Sequence, residues 1–205
     1  MKKRIIIITS IIISVFEFTV FADEPARSPQ WRSPLDFFQE EITLSVNDSI
    51  MRVEGVYHMR NNTGRKFDAP LAFPFHVDSL TLFPHEIEAI VLDSVGNPIK
   101  LEFMSAPEHK IIRFRLPVCL GNETVWKLNY EQKIKSKKAI YIITSTAAWK
   151  KPLEQATYTF VTPRDFEVTD IWPAADTTYQ DSTYIYRQCV KRNFMPTREM
   201  ELIWK

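Results

Sequence analysis

The chain has 205 residues with 13 prolines, only four glycines and a formal net charge of +1. At the average glycine usage of about 7%, roughly fourteen would be present. Gly55, Gly64, Gly96 and Gly121 are spaced too widely for a G-x-G-x-x-G fingerprint or a P-loop, which excludes the glycine-rich nucleotide cradles.

The first segment reads as a secretory signal peptide. Lys2, Lys3 and Arg4 form a positive start, and residues 5–15 form an apolar run broken only by Thr9, Ser10 and Ser14. Val20-Phe21-Ala22 supplies an A-x-A-like cleavage site ahead of Asp23-Glu24-Pro25. Glu17 disfavours a permanent span, because an acid at that depth costs a few kcal/mol. Removing residues 1–22 takes three of 26 bases and one of 25 acids. That leaves 183 residues with 23 bases, 24 acids and a net charge of −1. A near-neutral exported protein has no global attraction to nucleic acid or to anionic membranes. The expected location is the periplasm or the extracellular space, with no stable membrane span after cleavage.

Residues 23–40 (DEPARSPQWRSPLDFFQE) read as an N-terminal arm, with a short helical turn opening at Ser33-Pro34. From residue 41 the pattern is that of strands. Residues 41–46 (EITLSV) precede a turn at Asn47-Asp48. In residues 50–60, Met51, Val53, Tyr57 and Met59 share one face, and Arg52, Glu54, His58 and Arg60 share the other. Gly55 inside this strand signals a bulge or a close backbone approach. Residues 71–75 carry Pro74 and belong at a sheet edge or bulge. Residues 87–93 and 99–104 flank a hairpin loop at 94–98. Further strands are expected at 110–116, 124–132, 139–144, 157–161, 166–172, 183–190 and 199–204. No helical period exceeds two turns. Residues 41–205 therefore read as one all-β domain, an antiparallel β-sandwich of about ten to twelve short strands.

The residues that carry chemistry are sparse. His58, His76, His85 and His109 form no H-x-H, H-E-x-x-H or Cys/His zinc spacing, so no metal or cofactor is implied. No G-x-S-x-G elbow is present. The balance leans away from an enzyme, with a hydrolase assembled from distant loops as the remaining catalytic reading. Cys119 and Cys189 either form a bridge, slightly favoured by an oxidising compartment, or stay as separate buried thiols. Trp149 leaves a strand into a polar connection beside Lys150 and Lys151. These three are the candidate ligand contacts, and Trp149 with Trp31 or Tyr179 could stack on a sugar ring or a peptide.

Residues 53–79 (VEGVYHMRNNTGRKFDAPLAFPFHVDS) are similar to the strand–N-x-[ST]–strand–FP pattern of VIT-type β-domains. They also resemble an uncharacterised class of exported bacterial and archaeal proteins, in which a segment like 141–160 (YIITSTAAWKKPLEQATYTF) recurs. The two stretches cover about a quarter of the chain. The resemblance implies an exported β-sandwich and carries over no catalytic residue. The expected function is that of an exported, non-catalytic binding or interaction module, whose partner is another protein or a cell-envelope glycan. A carbohydrate-binding module is the second reading, and it requires a solvent-facing row of two or three aromatics. N-terminal sequencing of the protein recovered from the cell envelope is expected to begin at Asp23; a chain still starting at Met1 would overturn the export reading.

Overall fold

The computed structural model describes residues 33–121 and 123–205. The expected signal peptide, Trp31 and the arm as far as residue 32 lie outside the described residues. In chain order the strands are β1 (Leu35–Asn47), β2 (Ile50–Asn61), β3 (Phe67–Pro74), β4 (His85–Leu92), β5 (Pro98–Lys100), β6 (Phe103–Ala106) and β7 (Ile111–Val118). They continue as β8 (Thr124–Lys133), β9 (Lys138–Tyr141), β10 (Leu153–Pro163), β11 (Val168–Trp172), β12 (Thr177–Gln180), β13 (Tyr184–Phe194) and β14 (Met200–Trp204). Two short 3-10 helices, Pro107–His109 and Thr144–Trp149, complete the list. Among the described residues no helix is long and apolar enough to cross a membrane.

Eight strands form one large sheet in the order β12-β13-β10-β1-β2-β8-β4-β5. Two three-stranded sheets, β3-β7-β6 and β11-β14-β9, accompany it. The fold is all-β, as the alternating patterns require. β1 runs parallel to β10, and the other pairings are antiparallel. The small sheets pack on the inner face of the large one. Phe73 of β3 meets Tyr57 of β2 edge-on at 5.9 Å, Phe114 of β7 meets Trp126 of β8 at 5.1 Å, and Trp172 of β11 meets Phe194 of β13 at 6.3 Å. Ile42, Leu44, Val53, Leu128, Tyr158 and Phe160 fill the interior from the large sheet. The intervening residues, such as Thr43, Arg52 and Lys127, lie on the other face and are more exposed, which is the period-2 signature of a sheet covered on one side.

Three expectations are corrected. The strand begins at Leu35, so Ser33-Pro34 opens no helical turn and residues 35–40 belong to the domain rather than to an arm. Leu35 and Phe37 are buried and pair with Asn61 and Met59, so long-range pairing outweighs the local helix-start signal. Residues 99–104 are not one strand. β5 pairs with β4 in the large sheet and β6 with β7 in a small one, and buried Leu101 marks the crossing between layers. Among the described residues the strands number fourteen; β12, exposed at every position, has no buried face to betray it.

Pro74 does lie on an edge strand, because β3 ends its sheet. Gly55 resolves into a close approach. The β1–β2 register runs through it without interruption. A Cβ built there would lie 2.3 Å from the Tyr57 hydroxyl oxygen, because the phenol leans back across the glycine. That ring cannot easily yield. It stacks on Trp126 at 4.2 Å, and its hydroxyl is hydrogen-bonded to the Tyr141 hydroxyl at 2.6 Å. Gly55→Ala is expected to cost about 2 kcal/mol of stability through overpacking, read as a lower urea midpoint; an unchanged midpoint would mean that the ring moves freely.

Candidate functional site

A β-bulge shapes a cavity lined by aromatic rings. Phe37 pairs with Met59 and Gln39 with His58, so Phe38 is an extra residue in β1. Before the bulge the odd residues Leu35 and Phe37 face inward. After it the even residues Glu40, Ile42, Leu44 and Val46 do. One inserted residue thus turns the Glu40 side chain into the interior. Phe38 itself lies on the outer face, where the Arg60 guanidinium sits 4.1 Å from its ring centroid.

Glu40 lines a cavity of 590 Å³ between the inner face of the large sheet, β3 and the 3-10 helix Thr144–Trp149. The walls are mainly apolar and carry seven aromatic rings, those of Phe37, Tyr57, Phe73, Phe114, Trp126, Tyr141 and Trp149, with the Ser33 and Ser145 side chains beside them. Three polar groups matter inside it. The Tyr158 hydroxyl donates to Glu40 Oε1 at 2.5 Å. The hydroxyls of Tyr57 and Tyr141 bond to each other, joining β2 to β9. Trp126 is 3% exposed, and its indole Nε1 has no hydrogen-bond partner among the described residues. A buried N–H without an acceptor costs on the order of 1–3 kcal/mol. Burial pushes the Glu40 carboxyl up to about 7, against the opposing pull of the Tyr158 hydroxyl. Burial also raises the Tyr57 and Tyr141 phenols well above their ordinary range, so both stay neutral.

The helix that carries Trp149 is anchored by a carboxylate. Glu199 Oε2 accepts from the backbone N–H of Ile143 at 2.8 Å and of Thr144 at 3.1 Å, and its other oxygen accepts from the Thr144 hydroxyl. Lys150, at φ 55°, ends the helix and donates its N–H to the Ala147 carbonyl at 3.1 Å. Between these two anchors Trp149 sits half-buried, 5.8 Å from the Phe37 ring.

Of the three residues picked as contacts, Trp149 lines the cavity and Lys150 stands exposed beside it. Lys151 is engaged elsewhere. Its ammonium lies 2.6 Å from Asp36 and 3.3 Å from Glu154, and Arg60 bonds the same Glu154 through two nitrogens. Hydrogen bonds from Arg60, then from Lys151, bring the Glu154 carboxyl down to about 2. This is a balanced cluster of two acids and two bases at the end of the sheet.

The bridge expected between Cys119 and Cys189 is not formed. Both thiols are free, Cys119 just beyond β7 of a small sheet and Cys189 buried in β13 of the large one. Burial raises the Cys189 thiol to about 11. Neither cysteine, and none of the four histidines, lines the aromatic cavity. His58 lies 2.5 Å from Glu123 and 3.6 Å from Glu41. The donor atoms of His85, Glu86 and Glu131 lie within 4.8 Å of one another. Arg52 Nε already donates to Glu131 at 2.8 Å, so the group is an ion-pair network in which one carboxylate has its cation. Glu40 and Trp126 were missed by sequence reasoning. Trp126 falls within the strand expected at 124–132, where no sequence signal marks an unpartnered N–H, and nothing in FFQEEIT reveals the bulge.

No protein-family model matches the chain, and no curated protein matches it. Among solved structures it is similar to a protein of Legionella pneumophila whose proposed role is nutrient binding. The TM-score is 0.62 at 10% identity, covering 84% of this chain and 67% of that one. It is also similar to a protein of Parabacteroides distasonis whose proposed role is that of a protease, with a TM-score of 0.46 at 9% identity. That match covers 85% of this chain and 41% of the other. The first likeness shows a shared β-fold.

In the folded chain Glu40 keeps its proton up to about pH 7, whereas its ordinary value is 4.5. Its contribution to stability is therefore full below pH 4.5 and is lost as pH rises through 7. The loss amounts to about 3 kcal/mol. Glu40→Gln keeps the acceptor for Tyr158 and removes the titration. The variant is expected to be more stable than the wild type at pH 8 and level with it at pH 4, by urea unfolding; parallel pH curves for the two proteins would refute the assignment.

Proposed function

We propose that the chain is an exported, non-catalytic binding module and that its ligand enters the cavity beneath Trp149. The observation that carries the reading is the Trp126 indole N–H. It is buried, has no acceptor among the described residues, and belongs to a wall that also holds a buried carboxyl whose titration burial raises to about 7. A ligand carbonyl or hydroxyl would complete that N–H, and Glu40 would donate or accept at the same floor. The volume of 590 Å³ and the mainly apolar lining suit a small organic molecule with a flat apolar body. The Legionella neighbour supports the reading only by analogy of fold. Export, inferred from residues 1–22, supplies the compartment.

The test is capture. Purified protein is incubated with a small-molecule extract of the cell envelope and re-isolated, and the bound compounds are identified by mass spectrometry. Wild type is expected to enrich one compound class. Ala148→Trp, which plugs the mouth, is expected to enrich none. With the captured compound in hand, Trp126→Phe should bind about fivefold more weakly, the loss of one hydrogen bond of about 1 kcal/mol. Equal capture by wild type and the plugged variant would reject the cavity as the site.

A further inference from the structure

A second feature lies on the opposite, outer face of the large sheet. The strand registers place six side chains in one line across six strands. Tyr179 of β12 is opposite Tyr186 of β13, which is opposite Val161 of β10. Val161 is paired with Ser45 of β1, Ser45 with Arg52 of β2, and Arg52 with Glu131 of β8. The line is high at both ends and low in the middle, where Val161 and Ser45 are small. The result is a groove running over β10 and β1. Two adjoining depressions of 430 and 270 Å³ lie along it, and both are lined by Thr43 and Tyr186.

The chemistry of the two walls differs. Tyr179 and Tyr186 stack in parallel, 4.9 Å apart and 3° from coplanar, so each ring uses one face on its neighbour and keeps the other. Tyr179 is 49% exposed and Tyr184, on the same wall, 41%. The opposite wall is the Arg52–Glu131 ion pair with Glu54. The floor between them mixes alcohols and an amide with the Val161 side chain. Thr43, Thr159 and Gln188 face outward there, and Gln188 Nε2 donates to the Thr159 hydroxyl at 3.2 Å. β10 and β1 are inner strands whose backbone groups are already paired, so the groove offers no free edge for an added peptide strand. Its floor is too polar for the apolar face of a helix.

We propose that this groove is a second binding site, distinct from the aromatic cavity, and that it takes a neutral saccharide. The electron-rich face of a tyrosine attracts polarised C–H groups, which a pyranose ring presents along one side. Sugar hydroxyls, both donors and acceptors, match the threonine, serine and glutamine floor. Glu41, Glu54 and Glu131 face one arginine there, a net negative surface that opposes carboxylated or sulfated glycans.

A glycan array carrying matched neutral and anionic structures tests this with the full mature chain. Wild type is expected to bind at least one neutral class and to lose it when a sulfate or carboxylate is added. Tyr179→Ala and Tyr186→Ala should each weaken binding about tenfold. Tyr179→Phe and Tyr186→Phe keep the ring faces and should stay within about twofold of wild type, as should the surface control Val95→Ser. Circular dichroism of each variant confirms the fold. The proposal is overturned if no neutral glycan binds wild type better than the Tyr179→Ala/Tyr186→Ala double variant. It is overturned equally if the Phe variants lose as much as the Ala ones, or if the anionic glycans bind best.

Discussion

The extra residue at Phe38 sets the parity of β1, and much of the interior depends on that parity. Had β1 run without the bulge, either its Leu35–Phe37 start or its Ile42–Leu44–Val46 run would face solvent. With the bulge both runs are buried, and the residue that follows the change of phase is an acid. A lone buried carboxyl is tolerated here for two reasons. It keeps its proton, and the phenol of Tyr158, on the strand that runs parallel to β1, supplies a hydrogen bond. The polar floor of the cavity is thus a consequence of strand pairing.

The two faces of the large sheet divide the chemistry. Inside, aromatic side chains from three sheets converge, and the polar groups among them include phenols, the Glu40 carboxyl, the Gln132 amide and the indole N–H groups of Trp126 and Trp204. Each hydrogen bond there acts in a low dielectric and each unmet group is costly. Outside, the same strands carry threonines, a serine, a glutamine and ion pairs. In the Arg52–Glu131 ion pair the arginine is exposed and the glutamate half-buried, so water screens the pair from one side and its contribution to stability is small. Its position in a groove opposite stacked tyrosines is therefore better explained by what it excludes than by what it holds together.

Much of this architecture was legible in the alternation of side chains. Met51, Val53, Tyr57 and Met59 announce a one-sided strand, and all four are buried as the pattern demands. Trp149 was legible as a candidate because a large ring in a polar connection needs a reason. The illegible parts have physical causes in common. The bulge at Phe38 leaves no glycine or proline as a marker. β12 is exposed at all four positions and has no periodicity to read. The line from Tyr179 to Glu131 joins residues that meet only through registers set by other pairs. Glu40 falls at the end of the segment expected to be an arm, and composition does not reveal which of the neighbours Glu40 and Glu41 points inward.

The place of β1 between β2 and β10 has a consequence in time. β2 follows β1 after a turn of two residues, so that hairpin can form as soon as it leaves the ribosome. The other edge of β1 finds its partner only when Leu153–Pro163 has been made, more than a hundred residues later. Until then an apolar strand waits with open backbone groups, the condition under which chains pair with the wrong partner. Closing so long a loop late is slow. The interval between the first hairpin and the arrival of β10 is when a nascent or translocating chain would be most dependent on a holding chaperone.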